Sequence, residues 1–263
     1  MVQSVPGVLA RIVEHKRTEL AERRWRRELL EREAERRTGA RRDFAGALTA
    51  NSPAIIAEIK KKSPSKGVLM DDFDPRRIAR AYGRGGAAAL SVLTDSKFFD
   101  GSLADLEAAR QEIKIPVLRK DFTLEEFHVI EAAAHGADAI LLIAAILDEV
   151  DLRRLRETAD RYKMAAIVEV HDDVEMNRAV NSGARIVGVN NRNLNDFSVS
   201  LATCERLAAQ IPDGAIRVAE SGIHSFADIQ RLQRSGYHGF LVGEHLMTAP
   251  APDKALQALK GLA

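Results

Sequence analysis

Short apolar runs alternate with longer amphipathic stretches along this chain. The runs cover residues 55–60, 88–94, 115–120, 139–143, 165–170, 186–190, 216–220 and 239–243. Each is apolar on both faces of its twofold period, as a parallel strand covered by helices must be. Between them, residues 124–134, 149–162 and 226–234 carry apolar positions at helical spacing. Right-handed strand–helix units repeated eight times close into a (β/α)8 barrel, so the expected class is α/β. Gly86-Ala87, Gly136-Ala137, Gly183-Ala184 and Gly236-Tyr237 each end a helical pattern and lead into a strand. Glycine there suits a left-handed helix C-cap, and the echo recurs about every fifty residues, or two units. An open doubly wound sheet is the alternative. It wants a glycine-rich turn after the first strand, and Lys61-Lys62-Ser63-Pro64-Ser65-Lys66-Gly67 is not one.

Residues 1–46 precede the barrel as a helical extension packing on it, and residues 47–263 form the barrel. Residues 8–37 predict a helix with Arg and Glu at i, i+3 and i+4 spacing. Trp25-Arg26-Arg27 and Arg41-Arg42 add local positive charge. A solvated, ion-paired face is the plain expectation. The functional one is a helix over the barrel mouth that assists an anionic substrate.

Composition narrows the classes. The net charge of +1 gives no pull toward nucleic acid or membrane. Hydrophobic content of 46% supports a sizeable core. Cys204 is the one cysteine, so no intrachain disulfide forms and a reducing compartment fits. The longest apolar runs are too short to span a bilayer. The N-terminus lacks a signal-peptide core, and its Arg-rich stretch is also rich in Glu. A soluble cytoplasmic protein, monomeric or weakly oligomeric, is expected.

Charge inside the apolar runs is the chemical signal. Glu58 and Lys60 share a face of the first strand, and Lys120, Glu169 and Glu220 stand at the far ends of other runs. Burying such charges costs several kcal/mol unless they are paired or used. Active sites of these barrels lie at the C-terminal strand ends. There the chain also places Ser63, Thr94-Asp95, Asn190-Asn191-Arg192, Ser221-Gly222 and Gly243-Glu244. Glycine turns after the last two strands make an anion cradle of backbone N–H groups, which Ser63 can close. Glu244 would repel a phosphate unless its side chain turns outward. Lys120 is a candidate general acid or Schiff-base nucleophile, its pKa lowered in a dry site, and Glu169 a candidate base or acid. The seven histidines are scattered without zinc spacing, so no metal is expected. His171 is a lesser candidate for substrate contact, and Cys204 reads as core.

These residues carry a family resemblance. Glu58-Ile59-Lys60-Lys61-Lys62-Ser63-Pro64-Ser65-Lys66-Gly67 resembles the opening signature of indole-3-glycerol-phosphate synthases. The likeness continues through Ser91-Val92-Leu93-Thr94-Asp95, Leu118-Arg119-Lys120-Asp121-Phe122 and Val168-Glu169-Val170-His171. Gly188-Val189-Asn190-Asn191-Arg192, Val218-Ala219-Glu220-Ser221-Gly222 and Phe240-Leu241-Val242-Gly243-Glu244 extend it over essentially the whole chain. The resemblance implies ring closure, decarboxylation and dehydration of 1-(2-carboxyphenylamino)-1-deoxyribulose 5-phosphate in tryptophan synthesis, with no cofactor. It implies Lys120 as general acid, Glu169 as general base and Lys60 near the substrate carboxylate. Glu58, Asn190 and Glu220 would form the supporting polar shell. Ser63, Ser221, Gly222 and Gly243 would grip the phosphate, with Glu244 standing where many members have Ser. Phe98, Phe122 and Leu141 would wall the aromatic ring. A phosphosugar isomerase and a non-catalytic phosphate-binding barrel are the rival readings.

Overall fold

The computed structural model describes residues 7–64, 66–194 and 196–262. Among these, eight parallel strands close into a barrel: β1 Ala54–Ile59, β2 Ala89–Leu93, β3 Val117–Lys120, β4 Ala139–Ile143, β5 Ala165–Val170, β6 Ile186–Asn190, β7 Ile216–Glu220 and β8 Gly239–Val242. Each strand pairs with its sequence neighbours, and β1 returns to β8 in the register Ala54↔Gly239. Every run read from the sequence is a barrel strand. The four echo glycines are left-handed, with φ of 82°, 85°, 79° and 84° at Gly86, Gly136, Gly183 and Gly236.

The strand period of two divides the core. Ile56, Ala89, Leu118, Leu141, Ile167, Val218 and Leu241 fill the inside of the barrel, and Ile55, Ala57, Leu90, Val117, Leu142 and Val168 pack outward under the helices. The N-terminal end of the barrel is plugged. A short helix, Phe44–Thr49, capped by the Asp43 carboxylate, buries Phe44 and Leu48 against the lowest inward layer. This helix straddles the expected boundary at residue 46, so the extension and the barrel share one core.

The N-terminal segment is not one continuous helix. It runs as α1 (Gly7–Arg23), a 3-10 turn at Arg24–Arg26 and α2 (Arg27–Arg36). Its arginines follow the solvated, ion-paired expectation. Arg24 pairs with Glu125 at 2.5 Å and Arg27 with Glu126 at 3.2 Å, while Trp25 is exposed. Arg41 and Arg42 lie under the barrel helices, where they donate to the carbonyls of Ala133, Tyr162, Ile115 and Arg110.

Lys16 is the exception on α1. It is buried, with Nζ 2.9 Å from Asp95 Oδ2, 2.9 Å from Asp121 Oδ1 and 3.0 Å from Glu19 Oε2. Asp121 in turn accepts from Thr94 at 2.5 Å and from Arg119 at 3.1 Å, and Arg119 also donates to Glu131 at 2.9 Å. Burial alone would depress the Lys16 ammonium, but Asp121 and Asp95 outweigh it and its pKa is raised. Removing one partner of a buried ion pair strands the rest. Lys16→Met keeps the aliphatic stem and removes the charge. It is expected to cost about 3–5 kcal/mol of unfolding free energy in urea titrations; a loss below about 1 kcal/mol would show that the network is dispensable.

Candidate active site

The strand ends converge. Glu58, Lys60, Lys120, Glu169, Asn190 and Glu220 line one cavity of about 490 Å3 at the C-terminal end of the barrel. Ser63, Phe122, Leu141, Ser221, Gly222, Gly243 and Glu244 line the same cavity. Ser65, which the sequence puts in the loop after β1, lies outside the described residues.

Two lysines sit among three buried carboxylates. Lys60 Nζ donates to Glu58 Oε1 at 2.5 Å. Lys120 Nζ donates to Glu169 Oε2 at 3.3 Å and lies 4.0 Å from Glu220 Oε2. Asn190 Nδ2 donates to Glu169 Oε1 at 3.2 Å, and its own Oδ1 accepts from the Arg192 N–H. Tyr82, wholly buried, donates to the Glu58 carbonyl at 3.1 Å and so fixes the end of β1. His171 does not line the cavity: Nε2 lies 3.4 Å from Glu169 Oε1, and Nδ1 is 2.9 Å from Glu175 Oε2.

The electrostatics revise one expectation. Burial alone would depress Lys120, but Glu169, Glu220 and Glu58 together more than reverse that, and its pKa is raised. A dry lysine loses its proton easily only when it lacks anionic partners. Burial likewise pushes Glu169 up, and Lys120, His171 and Asn190 overcome it, so Glu169 stays ionised far below the usual range. Glu220 goes the other way: burial and the neighbouring Glu169 charge push it up to about 8, against the pull of Lys120. The two carboxylates titrate as a pair, with the proton on Glu220. Burial lowers His171, but its contacts with Glu169 and Glu175 raise it to about 10, so it is an imidazolium.

The far side of the cavity is built for an anion. Ser221 and Gly222 are both left-handed, at φ 65° and 76°, which turns successive backbone N–H groups one way. Buried Asn191 holds this turn by donating to the Ser221 carbonyl at 3.1 Å. Glu244 opens the one-turn helix Glu244–Met247, its carboxylate 3.5 Å from Lys66 Nζ and 3.9 Å from Arg192 Nη2. Both cations line the cavity; the sequence placed Arg192 at this strand end without a role and did not single out Lys66.

The aromatic wall is corrected at one position. Phe98 does not line the cavity; its ring lies edge-on to His15 of α1, with centroids 6.0 Å apart. Phe99 lines it instead, 6.1 Å from the Phe122 ring. Residues Ser96–Phe99 form a single helical turn capped by Asp95, and successive helical side chains diverge by about 100°. Only one of the two rings can therefore face inward. The sequence reading also missed the roof: Val8, Leu9 and Ile12 of α1 close over the cavity with apolar side chains. The extension does cover the mouth, through these residues and not through its arginines.

Among the described residues, no group of three or more His, Cys, Asp or Glu is arranged to hold a metal ion, and no helix is long and apolar enough to cross a membrane.

Comparison with known proteins gives the family. The family model for indole-3-glycerol phosphate synthase matches residues 9–259. The indole-3-glycerol phosphate synthase of Koribacter versatilis is 51% identical over 208 residues, covering 79% of this chain and 80% of its own length. That of Polaromonas naphthalenivorans is 46% identical over 260 residues, covering 97% and 98%. Among solved structures, thiamine phosphate pyrophosphorylase from Pyrococcus furiosus superposes with a TM-score of 0.60 at 18% identity, covering 81% of this chain and 96% of that one, which bears on the fold alone. The chain belongs to the indole-3-glycerol phosphate synthase family, carboxy-lyases of tryptophan biosynthesis.

Proposed function

We propose that Lys120 and Glu169 are the acid and base of this reaction and that Lys60 faces the substrate carboxylate. One observation supports this best. Lys120 Nζ on β3 stands 3.3 Å from Glu169 on β5 and 4.0 Å from Glu220 on β7, inside a single cavity. Its volume of about 490 Å3 suits a small phosphorylated aromatic substrate.

The residue types fit each step. The ring carbon bearing the carboxylate attacks the sugar ketone, and the ketone oxygen takes up negative charge. The Lys120 ammonium meets that oxygen and supplies its proton. Loss of carbon dioxide returns the bonding electrons to the ring. Dehydration then removes a proton from the methylene next to nitrogen as the new hydroxyl leaves as water. Glu169 is held ionised to take that proton, and an ammonium returns one to the departing hydroxyl. In the resting site Lys120 is a poor acid because carboxylates hold its proton. A developing oxyanion competes with Glu169 for the same N–H, which is where a positioned donor is worth most.

Binding divides along the cavity. The left-handed Ser221-Gly222 turn, Gly243 and Ser63 hold the phosphate, with Lys66 and Arg192 adding positive charge once they release Glu244. Phe99, Phe122 and Leu141 flank the aromatic ring. Glu58 holds Lys60 in place, Asn190 orients Glu169, and protonated Glu220 keeps negative charge off the substrate carboxylate.

Three outcomes follow from these assignments. Lys120→Met and Glu169→Gln each lose about 10²–10⁴-fold in kcat with native circular dichroism, read by the fluorescence of the indole product. Turnover near wild type in either removes that residue from the mechanism. Phe99→Ala raises KM about tenfold, while Phe98→Ala leaves it within about twofold. The reverse pattern would return Phe98 to the ring pocket. Glu220 loses its proton near pH 8, which adds negative charge beside Lys120 and against an anionic substrate. Accordingly kcat/KM declines above about pH 8 in the wild type, and Glu220→Gln abolishes that limb.

A further inference from the structure

Two glycines at the barrel wall lie outside the set of positive-φ glycines. Gly188 lies inside β6, where the extended backbone suits any residue. Gly243 has φ −117° and ψ −80°, outside the broad α and β regions, so its backbone gives one reason for glycine. Their environments supply a different reason. A Cβ on Gly188 would overlap Glu220 Oε1, with Ile167 Cγ2 at 2.9 Å. A Cβ on Gly243 would overlap Glu58 Oε1, with Glu58 Cδ at 2.9 Å. In both cases the obstructing group is the carboxylate tip of a glutamate on the next strand: β7 lies beside β6, and β1 beside β8. Other tight glycines meet side chains outside the cavity's carboxylates, as Gly46 does at its helix-capping Asp43 and Gly236 at Arg217, or they meet main chain. A Cβ on Gly101 would meet the Leu93 carbonyl carbon at 2.8 Å, and one on Gly85 the Asp253 oxygen at 2.9 Å.

The two seats have the same form. Glu220 Oε1 is buried and makes no hydrogen bond; it rests on the bare Cα of Gly188 while Oε2 stays 4.0 Å from Lys120. Glu58 Oε1 rests on Gly243 and receives Lys60 at 2.5 Å. Each carboxylate therefore lines the cavity with one oxygen resting on a neighbouring strand.

We propose that Gly188 and Gly243 are positioning residues: the space left by each missing side chain seats a carboxylate from the adjacent strand, Glu220 on Gly188 and Glu58 on Gly243. The seats hold these two carboxylates against the wall, so that Glu169 is the one carboxylate within hydrogen-bonding reach of Lys120 and the cavity stays clear for substrate. This rests on the reading of Lys60, Lys120 and Glu169 as the reacting groups. An alanine methyl at either seat pushes a flexible tip inward and leaves the strands in place.

A double-mutant cycle tests the seat through activity, and carboxylate NMR tests it without activity. Gly188→Ala is expected to fold and to lose about 10–100-fold in kcat/KM. In a Glu220→Ala background, where no tip remains to displace, the same glycine change costs less than about twofold. Equal losses in both backgrounds, or full activity of the single variant, overturn the proposal. The Glu220 carboxyl signal in 13C-glutamate-labelled protein, identified by its disappearance in Glu220→Ala, titrates near pH 8 in the wild type. In Gly188→Ala its midpoint falls, because the tip leaves the dry wall for the open cavity; an unmoved midpoint overturns the seat. A Gly188→Ala chain that fails to fold also counts against it, since a mobile tip does not unfold a barrel. If Glu220→Ala alone keeps wild-type turnover, the catalytic reading of Glu220 falls while the NMR result still decides the seat.

Discussion

An ammonium group held inside a barrel among three buried carboxylates is the constraint around which this molecule is arranged. Lys120 cannot be stable there alone, and its partners cannot be stable without it. Once Glu220 keeps its proton, the charges close to neutrality. Glu58, Glu169 and Glu175 contribute three negative charges, and Lys60, Lys120 and His171 three positive ones. This balance explains why Glu169 and Glu220, chemically identical and both nearly inaccessible, are pushed in opposite directions. Glu169 has Lys120, His171 and Asn190 around it. Glu220 has Lys120 at a longer distance, and one of its oxygens faces only a glycine.

The same strand that delivers Lys120 inward delivers charges outward. Residues alternate on a strand, so Arg119 points away from the cavity when Lys120 points into it, and Asp121, just past the strand end, reaches the cavity edge. They enter the buried network that includes Thr94, Glu131 and Lys16 of α1. The chain thereby ties the roof helix to the strand end that bears Lys120. Leu9 and Ile12 on the roof and Phe122 just past Lys120 belong to one fastened unit, although more than a hundred residues of sequence separate them.

The barrel was legible because its signals are periodic and redundant. Eight apolar runs and four glycine exits repeat one unit, so an error in any one would not change the topology. The strand-end polar residues were legible because charge in an apolar run is rare and costly. Features decided by partners across the fold were not. The sign of the Lys120 shift depends on how many carboxylates surround it, which strand spacing does not count. Lys16 looked like one more cation on an Arg- and Glu-rich helix, and only the approach of Asp95 and Asp121 sets it apart. Phe98 and Phe99 occupy a single helical turn, too short for periodicity to say which ring faces in. Gly188 and Gly243 carry no sequence signature of this role, which exists only once Glu220 and Glu58 are in view.

The closure of the other end of the barrel gives these arrangements their direction. Phe44 and Leu48 fill the floor beneath the inward layers of Ile56, Leu118 and Val218. No polar group is needed there, and every charged residue of the barrel interior is confined to one end. With a dry floor below and an apolar roof of Val8, Leu9 and Ile12 above, the charged ring is screened from water on two sides. Electrostatic interactions in such a space are stronger than in water. The price is that no charge within it can be left without a partner. A ligand carrying both a carboxylate and a phosphate satisfies that condition. It brings anions to Lys60 and to the Lys66–Arg192 side, while Lys120 turns from Glu169 toward the reacting oxygen. On the proposed reading, Glu58, Glu169 and Glu244 hold these cations where substrate oxygens would take over, and binding exchanges one set of anionic partners for another.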